Sequence, residues 1–362
     1  MKIAILGTRG IPNNYGGFEQ FAECFAVYLA QQKYEVYVYN SHNHVFQEKQ
    51  YRGVHIIHQY DPEDKMGSAG QFIYDLNCIL DSRKRNFDII LQLGYTSSSI
   101  WSFLFPKKST IITNMDGLEW KRTKYSKTTQ KFLKFAEQKA VKGSNYLIAD
   151  SLGIKQYLQE KYNVEATYIA YGAEPFLKQK EELLSVYNVE KNNYNLLIAR
   201  FEPENNIEVI LEGIVDSKDD KVVLVVGNSN NSFGNHLKNK FSSYQNICFT
   251  GGIYNKEHLD NLRYFSKLYF HGHSVGGTNP SLLEAMAAKA LIVAHNNEFN
   301  RAILQENAFY FSDAADIKRL IETVKRTDHD QMVQDNFDTI IQEFNWNKIN
   351  ESYLRLFEKS LQ

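Results

Sequence analysis

A short apolar run that reads as a strand, followed by a stretch of helical periodicity, recurs from one end of this chain to the other. The opening segment KIAILGTRGIPNNYGGFEQFAECFAVYLAQQKYEVYVYN sets the pattern. An apolar run meets a loop of Gly, Pro and Asn, a helical face follows through Phe21, Phe25 and Leu29, and the chain returns as the alternating strand EVYVYN. Further strands are expected at GVHIIHQ, FDIILQLG, STIITNMDG, NYLIADS and ATYIAYG, then in a second series at NLLIARFE, KVVLVVGN, NICFTGG, KLYFHGH and ALIVAHN. Apolar strands interleaved with helices form parallel sheets covered on both faces, so the two series predict two successive α/β units. The break is expected near YGAEPFLKQKEE, where Gly172 and Pro175 interrupt the pattern. The terminal FNWNKINESYLRLFEKSL places Trp346, Ile349, Tyr353, Leu356 and Leu361 on one helical face suited to packing back on the first unit.

A chain of 362 residues is long for a single core, in keeping with two domains of roughly 150 to 200 residues. The net charge of -1 gives no electrostatic reason to expect a nucleic-acid partner. Cys24, Cys78 and Cys248 are odd in number and far apart, which suggests neither a disulfide framework nor a zinc knuckle and fits a reducing compartment. MKIAILG enters a strand without the apolar stretch of a signal peptide, and no run of about 18 apolar residues suggests a membrane span.

Ligands of open parallel sheets bind at the carboxyl ends of the strands, and four such places stand out. In GTRGIPNNYGGFE, the glycines, Gly16 and Gly17 among them, let the backbone approach a ligand ahead of a helix N-terminus; the alternative is a mobile surface loop. Its glycine spacing and the missing carboxylate after EVYVYN argue against a nicotinamide dinucleotide. In NMDGLEWKRTKYSK, Asp116 and Glu119 are placed to accept a proton or orient a sugar, although Asp-Gly is equally a turn dipeptide. In IARFEPENN, Arg200 can grip a phosphate or pair with Glu202 or Glu204. In FHGHSVGGTNPSLLEAMAAKA, Asn279 is a candidate cap and Pro280 a first-turn residue, so Gly277, Thr278 and Asn279 expose amides to an anion. Glu284 can accept hydroxyls of a ribose or simply favour the helix dipole, and His271 and His273 can be core histidines.

IARFEPENN resembles the G-R-L-x-P-E-K-G stretch of retaining glycosyltransferases of the GT-B fold, family 4. SVGGTNPSLLEAMAAKALIVA is similar to that family's E-G-x-x-x-x-L-x-E-A-M-A-x-G-x-P-V-V-A. With GTRGIPNNYGGFE and DGLEWKR, the motifs resemble the branch of bacterial polysaccharide rhamnosyltransferases. The resemblance implies an α/β GT-B architecture, two Rossmann-like domains with parallel sheets facing a central cleft. Residues 1–173 would form an acceptor-binding domain, 174–343 a nucleotide-sugar-binding domain, and 344–362 a helix crossing back. It further implies Arg200 on the donor diphosphate, Glu284 on its ribose, Gly277 to Asn279 cradling phosphate and sugar, Gly16 and Gly17 facing the diphosphate, and Tyr254 where the base packs. The motif departs from the family at Gly276, where a Glu is usual, at Asn205, where a Lys is usual, and at Met115, where a His is usual. His273 or bare backbone would then meet the sugar, and Arg9 or another basic residue of the first domain is a candidate replacement for the charge missing at Asn205.

The activity so implied is retaining transfer of a sugar, with L-rhamnose from dTDP-rhamnose the first expectation, onto a lipid-diphosphate-linked saccharide in cell-surface polysaccharide synthesis. Asp116, Arg200 and Glu119 are the expected catalytic residues, with neither metal nor cofactor. Other readings are a UDP-hexose donor, a GT-B epimerase or phosphorylase, and a nucleotide-sugar-binding protein without activity. The basic run from Lys121 to Lys142, interleaved with Tyr125, Phe132, Leu133 and Phe135, suits either a solvated helix face or an anionic bilayer. A lipid-linked acceptor favours the bilayer and a cytoplasmic protein peripheral to the inner face of the membrane. Oligomeric state is not legible.

Overall fold

The computed structural model describes every residue from Met1 to Gln362 except Thr123, Lys124 and Gly276. The chain divides into two compact units. The first holds residues 1–121, 125–171 and 346–362; the second holds Gly172–Asn345 together with Arg122.

Eight strands build the sheet of the first unit: β1 (Lys2–Leu6), β2 (Glu35–Ser41), β3 (Gln50–Tyr51), β4 (Val54–Gln59), β5 (Ile89–Leu93), β6 (Thr110–Asn114), β7 (Tyr146–Ala149) and β8 (Ala166–Tyr168). Their spatial order is β3-β4-β2-β1-β5-β6-β7-β8, parallel throughout except for β3, which pairs antiparallel with β4. All five residues of β5 are buried, as expected of a strand covered on both faces. Ala4, Leu6, Tyr39, Cys78, Ile79 and Ile90 form part of one side's core.

The helix Trp346–Ser360 belongs to this unit although it is the last element of the chain. Tyr353 lies 4.6 Å from Phe21 and 5.1 Å from Phe25, and Phe357 meets Phe25 edge-on at 5.4 Å. Such aromatic pairs are worth about 0.5–1.5 kcal/mol each beyond the area they bury. The buried face is Trp346, Ile349, Asn350, Tyr353, Leu356 and Phe357, which corrects one sequence expectation. Leu361 lies beyond the last helical residue and is exposed, whereas Phe357, four residues after Tyr353, takes its place on the face.

The second unit has six parallel strands: β9 (Tyr194–Ile198), β10 (Val222–Val226), β11 (Ile247–Gly251), β12 (Leu268–His271), β13 (Ile292–His295) and β14 (Phe309–Phe311). They stand in the order β11-β10-β9-β12-β13-β14. One face packs Leu197, Val225, Phe270 and Val293 against Ile207, Ile210, Ile214 and Ile317. Both units thus have the Rossmann-like plan of a parallel sheet flanked by helices.

Candidate functional site

In the second unit the strand order reverses between β9 and β12, with β10 and β11 on one side and β13 and β14 on the other. Loops leaving two such strands diverge to opposite faces, and the crevice between them is where open α/β sheets take ligands. Arg200 follows β9 by two residues; His273 and Gly277 to Asn279 follow β12. Arg200 is exposed and makes no ion pair among the described residues.

The two loops are tied together. Asn205 Nδ2 donates to the Arg200 carbonyl at 2.7 Å, and Asn205 Oδ1 lies 2.9 Å from His273 Nδ1. A carboxamide oxygen only accepts, so Nδ1 of His273 carries the proton. Burial, followed by the positive charges of Arg122 and Arg200, pushes His273 down to about 4. The ring is therefore neutral at physiological pH, although a backbone hydrogen bond at Val275 favours its charged form. Asn206 Nδ2 donates to the Gly272 carbonyl at 2.7 Å, and Ser274 donates to the Glu204 carbonyl through its backbone N at 3.1 Å and its Oγ at 2.8 Å. A Cβ at position 272 would stand 1.9 Å from the Asn205 carbonyl oxygen, so only glycine permits this approach. His271, at the end of β12, is fully buried; burial first, then His273, Arg263 and His295, brings it down to about 3.

Asn279 caps the helix Pro280–Ala287, its Oδ1 accepting from Ser281 N at 2.9 Å with Pro280 at the first position. Thr278 is buried and Gly277 half-buried. Glu284 is held from beneath: its Oε2 accepts from Arg263 Nη2 at 2.6 Å. Arg263 belongs to the helix Lys256–Phe265 and is 1% exposed; its Nη1 donates to Asp260 Oδ1 at 3.0 Å. Asp260 in turn pairs with Lys256 at 2.5 Å. Burial opposes charge on Arg263, but Glu284, Tyr269 and Asp260 together hold it above the ordinary arginine value. Tyr254, just before the Asn255 cap of that helix, is 82% exposed. Position 276 lies outside the described residues.

In the first unit the order reverses between β1 and β5, and the glycine loop follows β1. Gly7 has φ +86, and a Cβ there would lie 2.1 Å from the Leu93 carbonyl oxygen. The loop is pinned rather than mobile. Arg9 N donates to Glu19, Ile11 N to Asn40 Oδ1, Asn40 Nδ2 to the Ile11 carbonyl, and Asn13 N to Glu23. Gly16 is the extended residue that caps the helix Gly17–Gln31, without a side-chain cap bond. Arg9 is engaged inside this unit: Nε and Nη2 donate to the two oxygens of Glu63, at 2.8 and 2.6 Å, and Tyr15 stacks at 3.8 Å. Glu63 thus neutralises the guanidinium that the sequence offered as a substitute for a lysine at Asn205.

Asp116 follows β6 in a left-handed conformation, φ +52, with its N–H donating to Asn114 Oδ1 at 2.9 Å. Glu119 starts the turn Glu119–Lys121. Met115 is buried in the apolar cluster with Tyr95, Leu118 and Ala149. Trp120 anchors the turn by donating Nε1 to Glu137 Oε2 at 3.0 Å. Glu137, 1% exposed, also accepts from Tyr157, Tyr162 and Lys161 at 2.8, 2.6 and 2.9 Å.

The basic run is not one helix. The helix starts at Lys127, where Ser126 caps Thr129 N, and ends at Gly143. Lys121 closes the preceding turn, and position 124 lies outside the described residues. Phe132 and Phe135 are 36% and 48% exposed among Lys131, Lys134 and Lys139. Among the described residues no helix is long and apolar enough to cross a membrane.

The structure thus brings Arg200, Asn205 and His273 together, with the Gly277–Asn279 segment following β12 and Glu284 in the helix it leads into. In the first unit, Gly16 and Gly17 end the β1 loop, and Asp116 and Glu119 follow β6. Sequence reasoning missed Arg263, Glu137 and Glu63. The signal for Arg263 was its i, i+3 spacing from Asp260 among Leu262 and Phe265, a charged pair on a buried face.

Residues 179–343 match the family model of glycosyl transferases group 1, so the second unit carries a group 1 glycosyltransferase domain. Residues 1–174 match a model described as a domain of unknown function, DUF1972. Among solved structures, the chain is similar to sucrose-phosphate synthase from Thermosynechococcus elongatus, with a TM-score of 0.82 at 15% identity over 99% of this chain and 98% of that one. Anabaena HepE in complex with UDP and glucose gives 0.78 at 15% over 99% and 100%. A glycosyltransferase from Rickettsia africae gives 0.72 at 17% over 100% and 99%. The fold is that of GT-B glycosyltransferases, two Rossmann-like domains with parallel sheets. No curated protein matches the chain by sequence.

Proposed function

We propose that the protein transfers a sugar from a nucleoside-diphosphate donor with retention of anomeric configuration. The observation that carries this reading is the convergence of an unpaired Arg200 and an Asn279-capped helix start on the strand-order reversal between β9 and β12. A diphosphate leaving group gains negative charge as the glycosidic bond breaks. A guanidinium and helix-terminal amides at Gly277 to Asn279 stabilise that charge with little reorganisation. Glu284 accepts from the nucleotide's sugar, and Tyr254 covers the base. The acceptor oxygen bonds to the anomeric carbon on the face the phosphate leaves, and its proton passes to the departing phosphate oxygen. That step needs no imidazole base, consistent with Met115 in the core. Asp116 and Glu119 orient the acceptor.

The favoured donor is dTDP-rhamnose and the favoured acceptor a lipid-diphosphate-linked saccharide of cell-surface polysaccharide synthesis. The exposed phenylalanines among lysines of Lys127–Gly143 support docking on the anionic inner face of the cell membrane from the cytoplasm. A UDP-hexose donor is the second reading, favoured by HepE, whose structures hold UDP-glucose or UDP with glucose. Incubation with dTDP-rhamnose or UDP-glucose and a lipid-linked saccharide tests both. Transfer supports the reading, and donor binding without turnover overturns it in favour of a binding protein.

A further inference from the structure

Glu204 lies in the turn Pro203–Asn205 after β9, and its side chain is 2% exposed. Its carbonyl takes both bonds from Ser274, so the residue is fixed beside the loop after β12. Its carboxylate is less well served: neither oxygen has a hydrogen-bond partner among the described residues. A charge so buried is costly unless an opposite charge stands near it. Arg122 supplies one, with Nη1 3.9 Å from Glu204 Oε1 and 14% of its side chain exposed. At that distance the two groups attract without a hydrogen bond. The Arg9–Glu63 pair differs in kind, because there both carboxylate oxygens accept, at 2.8 and 2.6 Å.

The imidazole of His273 reports where Arg122 stands. After burial, the charges that oppose protonation of this ring are those of Arg122 and then Arg200. Two guanidiniums therefore act on one ring at the carboxyl ends of β9 and β12, where the strand order reverses. Asn205 beside them is uncharged, and its carboxamide is committed to His273 and to the Arg200 carbonyl. A nucleoside diphosphate carries more negative charge than the single guanidinium of Arg200 answers.

We propose that Arg122 is a second ligand of the donor's diphosphate, with Glu204 behind it as the carboxylate that orients its guanidinium. A guanidinium has five donors on a planar fork, so it can face a carboxylate on one edge and phosphate oxygens on another. The inference rests on the reading of the β9–β12 crevice as the nucleotide-sugar site. It deepens that reading by naming the residue that shares the leaving group's charge with Arg200.

The test is titration calorimetry of the full chain with UDP and dTDP, beside melting curves. Arg122→Gln should bind the nucleotide about tenfold or more weakly, the loss expected when a charge-assisted hydrogen bond goes. Arg122→Lys returns a point charge and should stay within about threefold of the parent. Because Arg122→Gln leaves Glu204 buried without its cation, the deciding protein combines Arg122→Gln with Glu204→Gln, which leaves no unpaired charge. Ligation of the diphosphate keeps that double variant about tenfold weak even when it melts with the parent. Parent-like affinity in the double variant overturns the inference, since Arg122 then serves only to neutralise Glu204, and leaves the transferase reading standing. A folded Arg122→Lys protein that binds no better than Arg122→Gln overturns it as well. Failure of both nucleotides to bind the unaltered protein overturns the transferase reading, and this inference with it.

Discussion

Asn205 and His273 share a hydrogen bond of 2.9 Å that joins the loop after β9 to the loop after β12. The same carboxamide donates to the Arg200 carbonyl, so the backbone that carries the free guanidinium is fixed through Asn205. A lysine here would add charge, whereas asparagine gives the turn a rigid tie.

Arg200→Ala is expected to reduce transfer by at least a hundredfold with little effect on thermal stability, because the side chain is exposed and unpaired. Glu284→Ala is expected to impair both, since it leaves Arg263 buried with only Asp260. Initial rates beside melting curves separate the two.

Gly272→Ala should destabilise the second unit by about 1–3 kcal/mol, because the new methyl meets the Asn205 carbonyl at 1.9 Å and must push the two loops apart. Urea titration gives the loss. A variant as stable as the parent would mean that the tie between these loops is loose.

Acid should weaken the fold. His273 and His271 titrate at about 4 and about 3 when folded and near 6.5 when unfolded, so the unfolded chain binds protons first. Their contribution is fully present above about pH 6.5 and is lost as pH falls toward 4. The slope is on the order of 1 kcal/mol per pH unit for each. Urea midpoints at pH 7.5 and 5 measure it, and His273→Gln should flatten the difference. A midpoint independent of pH over this window would contradict two histidines held neutral in the fold.

Glu137→Ala strips four donors of their acceptor, including the Trp120 indole that anchors the turn after Asp116. A loss of about 3–5 kcal/mol is expected, the range for breaking a buried ion pair. Glu137→Gln retains some of those bonds and should lose less. Comparison of kcat with KM for the acceptor then reports whether the turn of Glu119 is displaced.

Vesicles of anionic lipid should bind the protein more weakly when Lys131, Lys134 and Lys139 are changed to Gln, with a loss of about 1 kcal/mol per charge at the surface. Binding unaltered in sedimentation assays would assign those lysines to an ordinary solvated face.

Most of the long strands were legible because they are apolar runs closed by Gly, Asn or Asp. β3 was not, since Gln50 and Tyr51 pair antiparallel at an exposed edge and carry no pattern. β14 spans only Phe309–Phe311, shorter than periodicity can register. The glycines, Arg200 and the Asn-Pro step announced the strand-end site because turn and cap chemistry is local. What holds that site was hidden: Arg263 reaches Glu284 from another helix, and Glu63 reaches Arg9 across 54 residues. Such pairings depend on how elements pack, which residue spacing does not encode. The basic run misled in extent because Ser126 caps a helix inside it.

The helix Trp346–Ser360 also bears on the order in which this chain is made. Residues 172–345 are contiguous and leave the ribosome as a segment able to close its own sheet. The first unit emerges earlier yet must wait, with Phe21 and Phe25 uncovered, for Tyr353 and Phe357 to be synthesised. The half of the protein translated first is thus completed last, and a nascent chain stalled before residue 346 presents a bare aromatic surface to chaperones.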